Sequence, residues 1–127
     1  MNTSVSQKRN GIGLATSEGE EIAAKVLDAL ADVCKNASEA KGFIRGNDGE
    51  AHALIHTEVA ELTEAVRHGD PASEHIPEFR ASEEECADIL IRVFDYCGKR
   101  GLRVGPAVIA KLKFNASRPH MHGGKAF

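Results

Sequence analysis

The chain has 127 residues, 42% of them apolar and 28% charged, with a net charge of −3. That length suits one domain, and the balance excludes both a disordered chain and a basic surface built for nucleic acid polymers. No stretch reaches the ~18 consecutive apolar residues of a membrane span, and the polar start lacks a secretory signal core, so a cytoplasmic, membrane-free protein is expected.

In chain order, residues 1–16 are polar and glycine-containing and read as a flexible N-terminal arm, followed by a single helical domain over 17–127. Ser17 and Glu20 have capping-box spacing and open a first helix from Glu18 to Ala40. Ile22, Val26, Leu27, Leu30 and Val33 recur along it at helical spacing. Asn36 is expected to loosen its far end, and Gly42 ends it. Gly46, Asn47, Asp48 and Gly49 form a turn, and Asn47 with Glu50 opens a second helix that runs to His68 and stops at Gly69. Residues 69–81 form a loop that Ile76 and Phe79 are expected to pin. Ser82 and Glu85 read as a third capping box, opening a helix from Glu83 to Lys99. Gly105 and Pro106 start a short fourth helix ending near Asn115. The tail from Ala116 to Phe127 is glycine-rich and cationic and reads as a closing loop. No strand alternation occurs, so the fold class is all-α.

Three cysteines, Cys34, Cys86 and Cys97, stand too far apart for a CxxC zinc ribbon and are odd in number. They read as free thiols of a reducing compartment.

The chemistry lies in two acidic pairs. Glu58 and Glu61 stand three apart on the second helix, Glu85 and Asp88 three apart on the third, and such pairs share a helix side. On a wheel of ~100° per residue, Glu58 points out of the middle of an apolar stripe bounded by Ala51, Leu54, Leu62 and Ala65. A carboxylate there must be protonated, paired with a cation or bound to a metal. On the third helix Leu90, Val93, Phe94, Cys86 and Cys97 form the apolar face, while Asp88 lies with Glu84, Arg92, Asp95 and Lys99 on what reads as a solvated face. Magnesium prefers carboxylate and phosphate oxygen, and several carboxylates can hold ions that clamp a triphosphate and activate a water. The plainer alternatives are a solvated ExxE pair, a capping role for Glu85 and an Arg or Lys partner for Glu58.

These motifs resemble those of the MazG-like all-α nucleoside triphosphate pyrophosphatases, which pair ExxE (often EExxE) on one helix with ExxD on the next. Lys111, Asn115 and Arg118, followed by His122, Gly123, Gly124 and Lys125, resemble the family's C-terminal elements, so the likeness spans residues 18–125. One departure is Thr57, which stands where many members carry the first Glu of EExxE. The resemblance implies a four-to-five-helix bundle subunit assembled as a homodimer or homotetramer. It implies Mg²⁺ (or Mn²⁺) held by Glu58, Glu61, Glu85 and Asp88, which form the catalytic centre, with Lys111, Asn115, Arg118 and Lys125 binding substrate. The implied reaction is hydrolysis of a nucleoside triphosphate between the α and β phosphates, giving a monophosphate and pyrophosphate.

Three other readings compete. A redox di-metal bundle would want Glu-x-x-His motifs, which are missing at these positions. Zinc held by His52 and His56, or by His120 and His122, lacks the HExxH pattern. A non-catalytic helical nucleotide-binding or interaction module would keep the fold without turnover. Phe43 and Ile44 are candidate pocket residues, with core packing as their alternative.

Overall fold

The computed structural model describes residues 16–44 and 46–119. Four helices are present among them: α1 (Ser17–Ala40), α2 (Asp48–Arg67), α3 (Ala81–Arg100) and α4 (Val104–Ala116). The all-helical expectation holds. The early N-terminal arm, His120, His122 and Lys125 lie outside the described residues.

The helix starts depart in detail from the sequence pattern. Thr16, in an extended conformation, caps α1 by accepting from the Gly19 amide at 3.1 Å, one residue earlier than the Ser17 box. Asn47 caps α2 as expected, its Oδ1 accepting from the Glu50 amide at 2.8 Å. The Ser82–Glu85 box does not form. Ser82 sits inside the first turn of α3, and Asp70 reaches across from the loop to accept from both its amide and its hydroxyl at 2.8 Å. A carboxylate there also meets the positive end of the helix. Glu83, not Glu85, closes the turn by accepting from the Arg80 amide at 2.8 Å. Glu85 is thereby released from capping. Asn36 interrupts nothing, since α1 continues to Ala40.

The loop before α3 is held by polar bonds and not by its apolar residues. Ile76 and Phe79 remain 37% and 46% exposed. Asp70 adopts a left-handed φ of 51°, which Asp tolerates, and this aims its carboxylate at Ser82. Ser73 is buried, accepts from the His75 and Ile76 amides, and donates to Glu84.

The helices form an open row. α3 is central, packing on α2 along one side and on α1 along the other, while α4 packs on α1. The small core of Ala31, Phe94 and Cys97 lies between α1 and α3, with Leu27, Cys34, Val93, Tyr96 and Val104 around it. Close approach at two points needs glycine. A Cβ on Gly98 would stand 2.5 Å from the Ala31 carbonyl oxygen, and one on Gly105 would stand 2.0 Å from that of Ala24. Asp28 on α1 adds a bond at the second contact, accepting from the Gly105 amide at 2.8 Å.

The row leaves apolar surface uncovered. On α1, Val26, Leu30 and Val33 of the expected stripe are 53%, 41% and 61% exposed, and Leu90 on α3 is 54% exposed. No helix among the described residues is long and apolar enough to cross a membrane. All three cysteines are free, and burial pushes the Cys97 and Cys34 thiols up from their ordinary value.

Candidate metal centre

α2 turns Ala51, Ile55, Glu58, Leu62 and Ala65 toward α3, a spacing of three and four that keeps one face in contact. Glu58 is the buried residue of this helix, at 6% exposure. Glu61, one turn later, meets Glu85, early in α3, because the two helices run antiparallel. Ligand oxygens of Glu58, Glu61 and Glu85 lie within 4.8 Å of one another. One oxygen of Glu85, Oε2, is buried without a hydrogen-bond partner. Three carboxylates so close, one with an orphaned oxygen, suit a hard divalent cation.

The charges act on one another. Glu61 is held above its ordinary value by a hydrogen bond to Glu58, then by burial and by the charges of Glu58 and Glu85. Glu85 is raised by burial and by Asp88, Glu84 and Glu58, partly offset by a hydrogen bond with Glu61. Asp88 is raised by burial and by Glu58 and Glu84, partly offset by Arg92 and His75. Asp88 thus stands in the same field, although outside the group of three close oxygens. It shares with Glu58, Arg92, Asp95, Ile91 and Ser38 a cavity of about 290 Å³. Glu61 and Glu85 border a separate cavity of about 490 Å³, walled by the loop residues Ser73, Glu74 and His75.

The α3 face that reads as solvated in the sequence is the face that meets α2. Arg92 donates through Nε to Glu58 Oε1 at 2.8 Å, so Glu58 has a cation partner within the chain. Lys99, 6% exposed at its side chain, donates to Asp95 at 3.0 Å and to the Ser38 hydroxyl at 2.8 Å. Conversely, Cys86 and Leu90, assigned to the apolar face, are exposed. Sequence reasoning missed Arg92, Asp95 and Lys99 as site residues. Their signal was present, as Asp88, Arg92, Asp95 and Lys99 recur at spacings of four, three and four.

The three consecutive acids opening α3 have separate roles. Glu83 caps, Glu85 joins the cluster, and Glu84 accepts from Ser73 and pairs with His75 Nδ1 at 2.5 Å. Those bonds hold Glu84 below the usual carboxylate range, and Glu84 raises His75. Thr57 is exposed and donates to the Ala53 carbonyl, so the departure from EExxE leaves the three close carboxylates untouched.

The cationic group on α4 is not brought to the acids within one chain. α4 packs on α1, whereas the acids lie between α2 and α3. Lys111 instead sits over the Phe114 ring, 4.5 Å from its centroid. Asn115 is half-buried and Arg118 exposed. Of the histidines proposed for zinc, His52 meets the Tyr96 ring at a tilt of 59° with centroids 5.0 Å apart, and His56 is exposed. Phe43 and Ile44 are exposed and border, with Leu54, Arg92 and Lys99, a cavity of about 190 Å³.

The shifts predict how stability depends on pH without divalent cations. Glu61, Glu85 and Asp88 hold protons in the folded state that the unfolded chain has already released. Their repulsion is therefore absent at low pH and grows as pH rises through their raised values. His75 acts in the same direction, since its raised value contributes stability that is lost as pH rises through it. Asp70 and Glu84, both lowered, lose their contribution only as pH falls below the ordinary carboxylate range. The thermal midpoint in chelator is expected to peak between about pH 4 and 6.5, the ordinary carboxylate and imidazole values. A midpoint that climbs steadily from there to pH 8 would contradict this.

No family model, curated protein or solved structure matches the chain.

Proposed function

We propose that the chain is a nucleoside triphosphate pyrophosphohydrolase of the MazG-like type, dependent on Mg²⁺ or Mn²⁺, that acts on a deoxynucleotide or modified nucleotide in pool control or house-cleaning. The observation that carries this reading is the meeting of Glu58, Glu61 and Glu85 between two helices, with an oxygen of each within 4.8 Å of the others, and with Oε2 of Glu85 buried without a hydrogen-bond partner. Such a group is costly unless a cation or proton offsets it.

In this reading Glu58, Glu61, Glu85 and Asp88 would hold the metal, which supplies charge neutralisation for the phosphates and a more acidic water. A carboxylate of this group left free of the metal would accept the proton of the attacking water. Water adds at phosphorus, the α–β anhydride bond breaks, and pyrophosphate leaves with the electron pair. Lys111, Asn115 and Arg118 would bind phosphate or sugar from a second copy of the chain, because α4 lies away from the acids of its own chain. The exposed Val26, Leu30 and Val33 support a homodimer or homotetramer in which α1 is covered.

A second reading rests on Arg92. Its bond to Glu58 satisfies that carboxylate without metal, as a non-catalytic helical interaction or nucleotide-binding module would require.

The deciding experiment incubates the full chain with Mg²⁺ and a panel of standard and modified nucleotides, following pyrophosphate and monophosphate. Mg²⁺-dependent pyrophosphate release, lost in Asp88→Asn, is expected. Release of single phosphate would move the cut and sink the pyrophosphatase assignment. No turnover from folded protein would favour the non-catalytic module.

A further inference from the structure

The bond between Arg92 and Glu58 joins the most buried acid of the cluster to a side chain that is still 43% exposed. Arg92 uses only Nε for it, and its two terminal nitrogens make no other hydrogen bond among the described residues. Arg92 also borders two neighbouring cavities, one with Glu58 and Asp88, the other with Phe43 and Leu54. It therefore stands between the carboxylates and a second, smaller, partly apolar space.

A divalent cation held by Glu58, Glu61 and Glu85 would place two positive charges beside this guanidinium. Glu58 Oε1 cannot serve both at full strength, since the cations repel. The competing anions on α3 are Asp88, one turn before, and Asp95, one turn after. Asp95 already carries Lys99 as its partner. A guanidinium has a planar fork of donors that fits two phosphate oxygens, and the terminal nitrogens left unused supply such a fork.

We propose that Arg92 is an internal counter-ion, occupying Glu58 when no divalent cation is bound and moving to a phosphate of the nucleotide when a cation takes Glu58. The inference rests on the metal-dependent reading above. It makes the protein bind cation and nucleotide in a linked manner, because the cation both attracts the phosphates and frees the residue that grips them.

The test compares the parent chain with Arg92→Gln and Arg92→Lys in two binding measurements. One is Mn²⁺ alone, followed by calorimetry and by the Mn²⁺ paramagnetic signal. The other is a non-hydrolysable α,β-methylene nucleoside triphosphate in the presence of saturating Mn²⁺. Arg92→Gln is expected to bind Mn²⁺ about tenfold more tightly, since the competitor is gone, and the nucleotide analogue at least about tenfold more weakly. Arg92→Lys keeps the charge without the fork, so Mn²⁺ affinity stays near the parent value while analogue affinity falls. Mn²⁺ affinity unchanged or weakened in Arg92→Gln, or analogue affinity unchanged in either variant, overturns the inference. Should Arg92→Gln not fold, Arg92→Lys decides by the analogue alone. A parent chain that takes up no Mn²⁺ sinks the metal reading itself, a result distinct from Mn²⁺ uptake that Arg92 does not influence.

Discussion

Glu58→Gln is expected to remove divalent-cation binding and nucleotide hydrolysis by two orders of magnitude or more, while leaving the fold in place. Glu58 is the deepest of the three close carboxylates, and its neighbours Glu61 and Glu85 are arranged around it. Gln keeps the shape and one acceptor oxygen but loses the charge that a hard cation needs. Changes merely beside metal ligands cost about 10–100-fold, so loss of a ligand charge should cost at least that. The fold is expected to survive for two reasons. Arg92, which loses its partner, is 43% exposed and can be solvated. The cluster also sheds one of several repelling charges. The measurements are Mn²⁺ calorimetry, turnover with Mg²⁺, and thermal unfolding in chelator. Undiminished Mg²⁺-dependent turnover would remove Glu58 from the chemistry. Outright unfolding would make the Glu58–Arg92 pair structural.

Among the described glycines, Gly105→Ala and Gly98→Ala are expected to be the most damaging methyl additions by contact, each costing about 1–3 kcal/mol or more. The added carbon at 105 would lie 2.0 Å from the Ala24 carbonyl oxygen and 2.7 Å from its carbon, so α4 must move off α1. That movement also stretches the Asp28 bond to the Gly105 amide. At 98 the new methyl would meet the Ala31 carbonyl oxygen at 2.5 Å, beside the buried Phe94 and Cys97. Backbone atoms cannot turn aside as a flexible side chain can. A shift of several degrees in thermal midpoint follows from the roughly 2–8 °C per kcal/mol of domains near this size. Gly49→Ala is the control, since its methyl would touch only the Asn47 side chain at 3.4 Å. Equal stability of Gly49→Ala and Gly105→Ala would mean that the α1–α4 contact yields cheaply.

The two effects are separable because they act at different places in the row of helices. The acids lie between α2 and α3, whereas Gly98 and Gly105 mark where α1 meets α3 and α4. Gly105→Ala should therefore lower stability with little effect on Mn²⁺ uptake by the folded fraction, and Glu58→Gln should do the reverse.

Much was legible from the order of residues alone. Four helices follow from apolar spacing, the Asn47 cap, and glycines placed past the helix ends, because these are local signals acting within a few residues. The abnormal position of Glu58 was legible too, since one helix wheel sets it among Ala51, Leu62 and Ala65.

The rest needed the packed chain. α3 touches a helix on each side, and a wheel that assumes one buried face misreads it: Asp88, Asp95 and Lys99 read as solvated, and Leu90 as buried. The bonds that replace the expected Ser82–Glu85 box were invisible because their carboxylate, Asp70, comes from 12 residues away. Releasing Glu85 to meet Glu61 is what joins one acid of the second pair to both acids of the first. The sequence by itself therefore determined the helices and the one acid that does not belong in an apolar stripe. Only the tertiary structure decided which acids meet, that Arg92 joins them, and that Lys111, Asn115 and Arg118 stand elsewhere in the chain. Contacts between helices depend on how their faces are paired, and short-range spacing carries no record of that pairing.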